Sequence, residues 1–267
     1  MIPENLTEFL YWVKENTETL WSEDLETSGC EEWVHGAKWV PLTDQQIDEV
    51  ERKYSIQFTP EHREFLRILH TIDRKEKYEY TESFEDDAEV LIREDPFFYN
   101  WLTDDDEIKA KLNWPFEEVL RDIFSEANSP FWCKSWGQRP ETKEEVIKVF
   151  TDLYKKAPKL IPITSHRFVV SDMNLKHRPI LSVWGTDTII YGWTIRTYLL
   201  NEIRYYLDIV KRIDYEDGEF DFRLTDEALE IHEKDFQYDE SKVIPFWQDI
   251  ILSYNTGWSG FGMKSPF

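Results

Sequence analysis

The chain is poor in cysteine and poor in positive charge. Its 267 residues include two cysteines, Cys30 and Cys133, far apart and without CxxC spacing. That excludes a disulfide framework and a zinc knuckle, and it suits a reducing compartment. Against 54 Asp and Glu there are 31 Lys and Arg, a formal net charge of −23. A field of that sign disfavours nucleic acid and anionic lipid and speeds encounter with basic partners. No apolar run approaches the roughly 18 residues of a membrane span. The segment MIPENLTEFLYW has neither a basic region nor a long apolar one, so no secretory signal is expected and the expected location is the cytoplasm.

Catalytic signatures are missing as well. His62-Arg63-Glu64 has the HxE spacing of zinc deaminases without a PCxxC partner. His232-Glu233 lacks the second histidine of HExxH, and Gly257, Gly260 and Gly262 make neither GxGxxG nor a phosphate-cradling loop. No GxSxG elbow is present. Asp104, Asp105 and Asp106 lack the glycine and distal glutamate of an EF-hand loop, so a solvated acidic turn is the plainer reading. No catalytic residue, metal site or cofactor is therefore expected.

Aromatic residues are abundant: 12 Trp, 13 Tyr and 17 Phe, 16% of the chain. Disordered chains have few aromatics, so the charge sits on a folded body. Leu6, Phe9, Leu10 and Val13 recur at helical spacing. Thr43 and Gln46 make a capping box, with Leu42 and Ile47 placed as a hydrophobic staple. Thr59-Pro60 starts another helix, with Phe65, Leu66 and Leu69 inward. Further helices are expected from Pro115 to Phe124, from Thr142 to Leu153, over 195–213, near 226–234 and over 245–254.

Residues 160–163 and 168–170 read as strands, and 180–184 with 188–191 as a hairpin around Gly185-Thr186-Asp187. In His166-Arg167, pairing of Arg167 with a carboxylate and of His166 with backbone is expected ahead of catalysis. Residues 78–112 read as short strands and loops on an exposed acidic surface. Helices, then strands, then helices, with no repeat or linker, predict one α+β domain whose mainly antiparallel sheet is flanked by helices.

Three places in this pattern carry a resemblance. LTDQQIDEVERKYSIQFTPEHREFLRILH includes Pro60 and Phe65; WGQRP spans Trp136 to Pro140; LIPITSHRF with PILSVWGTDTIIYG includes His166, Arg167, Tyr191 and Gly192. In this order they resemble the SUKH superfamily. Its fungal founders regulate cell-wall glucan synthesis, and many bacterial members are immunity proteins against polymorphic toxins. The resemblance implies a SUKH-like domain over 1–267. Its core would be 42–202, with an N-terminal helical extension (1–41) and an acidic C-terminal extension (214–267). It also implies that the motif residues are structural and that the activity is protein binding.

Specificity would then lie where the resemblance stops. Residues 158–213 hold eight Lys/Arg against four Asp/Glu, whereas 82–107 hold eleven acidic residues against one basic, and 214–240 twelve against two. The expected partner is a basic protein toxin of nuclease type, met by Glu85, Asp86, Asp87, Asp104, Asp105 and Asp106 and anchored by Phe97, Phe98, Tyr99 and Trp101. The alternatives are a regulatory or scaffold protein engaging a cellular enzyme, and a hydrolase built on the acidic clusters or His166.

Overall fold

The apolar runs between residues 159 and 192 form the frame on which the other elements are laid. The computed structural model describes residues 1–81, 89–125, 130–215, 217–237 and 239–254. In chain order the elements begin with α1 (Leu6–Ser22), α2 (Leu25–Ser28), β1 (Trp39–Val40), α3 (Asp44–Tyr54), α4 (Pro60–Ile68) and β2 (Thr71–Ile72). Next come β3 (Lys75–Thr81), β4 (Val90–Pro96), α5 (Asp105–Ile123), α6 (Lys143–Tyr154), β5 (Lys159–Thr164), β6 (Arg167–Ser171), β7 (Ile180–Trp184) and β8 (Asp187–Gly192). The last are α7 (Ile195–Glu202), β9 (Val210–Asp214), β10 (Phe220–Leu224), α8 (Asp226–Asp235) and α9 (Trp247–Tyr254).

Strands β5, β6, β7 and β8 pair as consecutive antiparallel neighbours. Pro162 lies in β5, at the edge of the sheet, where the missing N–H costs no ladder bond to a second neighbour. Side chains alternate between two buried layers. Ile161, Ile163, Val169 and Ile180 join the core built with α1, α3, α4 and α7. Leu160, Phe168, Val170, Leu181, Val183 and Ile190 join the core built with α5, α6 and α9. Both faces are covered, which is why these strands are apolar throughout instead of alternating with polar residues. The molecule is an α+β fold with an antiparallel sheet between helical layers.

Local chemistry sets several boundaries. The Thr43–Gln46 capping box is formed in both directions, and Leu42 and Ile47 are buried beside it. Thr59 caps α4 by accepting from His62 N–H, with Pro60 at its first position. Gly192 is needed for a close approach: a Cβ there would lie 2.7 Å from the Tyr198 backbone nitrogen and 2.9 Å from its Cα. Those are backbone atoms of α7 and cannot swing aside. Gly192→Ala is expected to cost about 1–3 kcal/mol, read as a lower denaturant midpoint with an unchanged slope; an unchanged midpoint would show that α7 can move.

Two expected helices differ. Asp105–Ile123 is one helix with Pro115 inside it, so proline does not mark its start. There it removes the bond that the Lys111 carbonyl would accept. The run 195–213 is helical only to Glu202. It then passes through a 3₁₀ turn at Arg204–Tyr206 and a left-handed Asp208 (φ 52°) into β9. The β-branched Ile209, Val210 and Ile213 favour the extended form there.

Candidate interaction surface

The aromatic residues expected to be partner anchors are core. Phe98, Tyr99 and Trp101 are 1–2% exposed, and Phe97 is half-buried against Trp21, Trp33 and Trp39. Their segment crosses the end of β5 and is tied down through its backbone. Thr164 donates to the Phe97 carbonyl at 2.8 Å, Thr71 to the Phe98 carbonyl at 2.6 Å, and Tyr99 N–H to the Ile163 carbonyl at 3.1 Å. Acidic neighbours in sequence made the run look exposed, but long-range bonds bury it.

The acidic candidates divide. Asp104 is buried and accepts from Lys75 at 2.7 Å and from Asn100 N–H at 2.9 Å. Asp105 lies between Lys53 at 2.7 Å and Lys109 at 2.6 Å and accepts from Tyr54 at 2.8 Å. Hydrogen bonds from Lys109, Lys53 and Tyr54 hold its carboxyl well below the usual range. Asp106 alone of the three is exposed. Glu85, Asp86 and Asp87 lie outside the described residues.

The motif residues sit inside or beside the frame. Pro60 opens α4, Phe65 is 1% exposed, Trp136 packs flat on Phe246 at 5.5 Å, and Pro140 is half-buried before α6. Arg167 meets Glu202 at 3.4 Å, donates to Ser182 Oγ at 2.7 Å, and lies 3.8 Å over the Tyr191 ring. Burial pushes the Glu202 carboxyl upward against the pull of Arg167. The His166 ring does not bond backbone as expected; its Nδ1 is 3.0 Å from the Ser165 hydroxyl.

Two antiparallel hairpins outside the main sheet, β3–β4 and β9–β10, each present several exposed apolar side chains. On the first, Val90 and Ile92 (70% exposed) share one face and Tyr78 and Tyr80 the other. On the second, Phe220 and Phe222 share a face with Arg212, whose guanidinium is 4.1 Å from the Phe220 ring. Tyr205 completes the group, 5.6 Å edge-on to Phe222. Tyr205, Phe220 and Phe222 are 51%, 52% and 43% exposed. Asp214 and Asp221 lie on the same two strands, and Asp217 and Glu219 in the turn between them. The sequence did carry a signal for this hairpin: Asp217-Gly218 between VKRID and FDFRL. The helical reading of 195–213 hid it.

The turn that presents Tyr205 outward places Tyr206 in a cleft of about 230 Å³. Its walls are Trp33, Phe97, Phe98 and Tyr206, and its carboxylates Glu31, Glu76, Asp95 and Glu202. Tyr206 donates to Glu31 at 2.8 Å. Aromatic faces and carboxylates in one hollow attract a cation twice, through the ring quadrupole and through charge. Aromatic patch and acidic cleft therefore adjoin through one turn.

No helix among the described residues is long and apolar enough to cross a membrane. Comparisons with protein-family models, with curated proteins and with solved structures gave no match.

Proposed function

We propose that this chain is a non-catalytic immunity protein of the cytoplasm that binds and neutralises a cognate basic toxin, of nuclease type. The observation that carries the reading is the solvent-exposed trio Tyr205, Phe220 and Phe222 with Arg212, set on an acidic hairpin. Aromatic and arginine side chains dominate binding energy at protein interfaces, and a contiguous exposed group of them marks a docking site. The surrounding carboxylates steer a cationic partner, and the adjacent cleft has the chemistry to receive one of its lysine or arginine side chains. The resemblance to the SUKH superfamily supports the same reading, since its bacterial members act by binding toxins. The anchors are the hairpin aromatics and not Phe98, Tyr99 and Trp101, which are spent on the core.

The test is co-expression with the toxin-like product of a neighbouring gene. Growth should be restored, and the purified pair should associate more slowly as salt rises, because screening weakens steering. Combined Tyr205→Ala and Phe222→Ala should weaken the complex by about 100-fold or more while leaving the melting temperature close to that of the parent. A neighbourhood without a toxin-like gene, together with failed growth rescue, would remove the proposal; retained affinity in the double variant would move the interface off this hairpin.

A further inference from the structure

A groove of about 1250 Å³ opens beside α7 and α8, lined by none of the aromatic patch or acidic cleft residues described above. Its floor includes Val169 of β6, Trp193 and Ile195. Its charges fall into two groups. Arg178 is paired with Glu61 at 2.6 Å, and Lys176 and His177 with Asp239 at 3.7 and 3.6 Å. Arg196, Lys234 and Lys242, and in the same lining Glu230 and Asp235, have no ion-pair partner within 4.0 Å among the described residues.

Lys242 is the unusual member. Three Asp, Glu, Lys or Arg side chains are buried among the described residues, and Asp104 and Glu118 each have an ion-pair partner. Lys242 has only the carbonyls of Asp235 and Gln237, and its ammonium sits 4.9 Å from the Trp193 ring. Arg196 adds a buried Nε with no acceptor among the described residues. The buried Lys242 ammonium and Arg196 Nε are costly to leave without a counter-charge, Asp235 is half-buried and Glu230 exposed, and a ligand carrying both charges would bridge the two signs.

Ile2 shows what such a wall can hold. Its N–H donates to Glu227 at 2.8 Å, its carbonyl accepts from Arg196 at 3.1 Å, and its side chain is 5% exposed. One residue is thus gripped by its backbone between an anion and a cation, with its apolar side chain sunk. The groove continues beyond it. A polyanion such as a nucleotide would meet Glu230, Asp235 and Asp239, which oppose it.

We propose that this groove binds a short peptide with both ends free: its carboxylate on Arg196 and Lys242, its ammonium on Asp235 and Glu230, and an apolar side chain over the floor. This assignment is independent of the toxin reading. The experiment is calorimetric titration of the full chain with a panel of apolar tetrapeptides, each with free ends, N-acetylated, or C-amidated. At least one free peptide should bind with a Kd of about 1 mM or tighter, and either cap should weaken it by about tenfold or more. Arg196→Gln should erase the effect of amidation, and Glu230→Gln, on an exposed face of α8, should reduce that of acetylation. Circular dichroism checks that each variant is folded, and the exposed Glu230 variant keeps the test open if Arg196→Gln is not. Absence of binding across the panel, or equal binding of either capped form, as from a protein tail offering one end only, would overturn the proposal.

Discussion

Trp101→Ala is expected to lower stability by about 3–5 kcal/mol, the cost of emptying a large buried aromatic site. Trp101 is 2% exposed and meets Tyr54 and Phe58 edge-on at 5.5 and 5.0 Å. Its backbone N–H donates to His70 Nε2 at 3.1 Å, so the ring is held in place by its own chain. In a domain of this size such a loss lowers the melting temperature by about 10 °C. The variant should still bind its partner in proportion to the folded fraction, because the ring faces no solvent. A variant that melts like the parent but loses the partner would restore Trp101 to the surface role its acidic neighbours suggest.

Acid should unfold the protein through its buried histidines. His62 is 1% exposed, packs edge-on against Phe58 at 4.7 Å, and has no partner for either ring nitrogen among the described residues. Burial, with some repulsion from His70, lowers its pKa from 6.5 to about 3. His70 accepts from Trp101 N–H at Nε2, so Nδ1 carries the proton and donates to the Val40 carbonyl at 2.9 Å. Burial lowers its pKa to about 4, against a smaller opposing effect of the Val40 bond.

Both rings are thus neutral when folded, whereas the unfolded chain takes up protons below pH 6.5. Their stabilising contribution is complete above that value and falls as pH drops from 6.5 towards 4 for His70 and 3 for His62. Each loses about 1.4 kcal/mol per pH unit, so about 5 kcal/mol is gone near pH 4.5, a large share of the usual stability of a domain. Relief of negative self-repulsion acts the other way. A His62→Leu variant isolates the effect: its denaturation midpoint should fall less steeply with pH than the parent's, with His70 and His166, both lowered to about 4, still contributing, and at neutral pH it should be no less stable, since no hydrogen bond is lost. Parallel pH profiles for parent and variant would refute this assignment.

What could be read in the sequence was what neighbouring residues decide. The Thr43–Gln46 box, the Thr59-Pro60 start and the hairpin around Gly185 depend on a few adjacent positions, and each formed as its chemistry dictates. The burial of Phe97 to Trp101 depends on Thr71, Thr164 and Ile163, far away in the chain, and no local pattern announces it. The break after Glu202 was obscured because Tyr198, Leu199, Ile203 and Tyr206 keep helical spacing across it. The aromatic patch lies beyond the same break, and the acidic cleft collects residues from 31 to 206, so neither shows in a local pattern.

The two outlying hairpins have a consequence for how this sequence can vary. From Tyr215 through Phe222 no described side chain is buried in either core, whereas Ile209 and Leu224 at the base of that hairpin join one of them. Substitutions at the tip should carry little penalty in folding, and substitutions at the base do not share that freedom. With this hairpin as the proposed docking surface, close variants of the chain would be free to diverge in their choice of partner by exchanging residues 215–222 at the end of one ribbon, while the sandwiched sheet stays as it is.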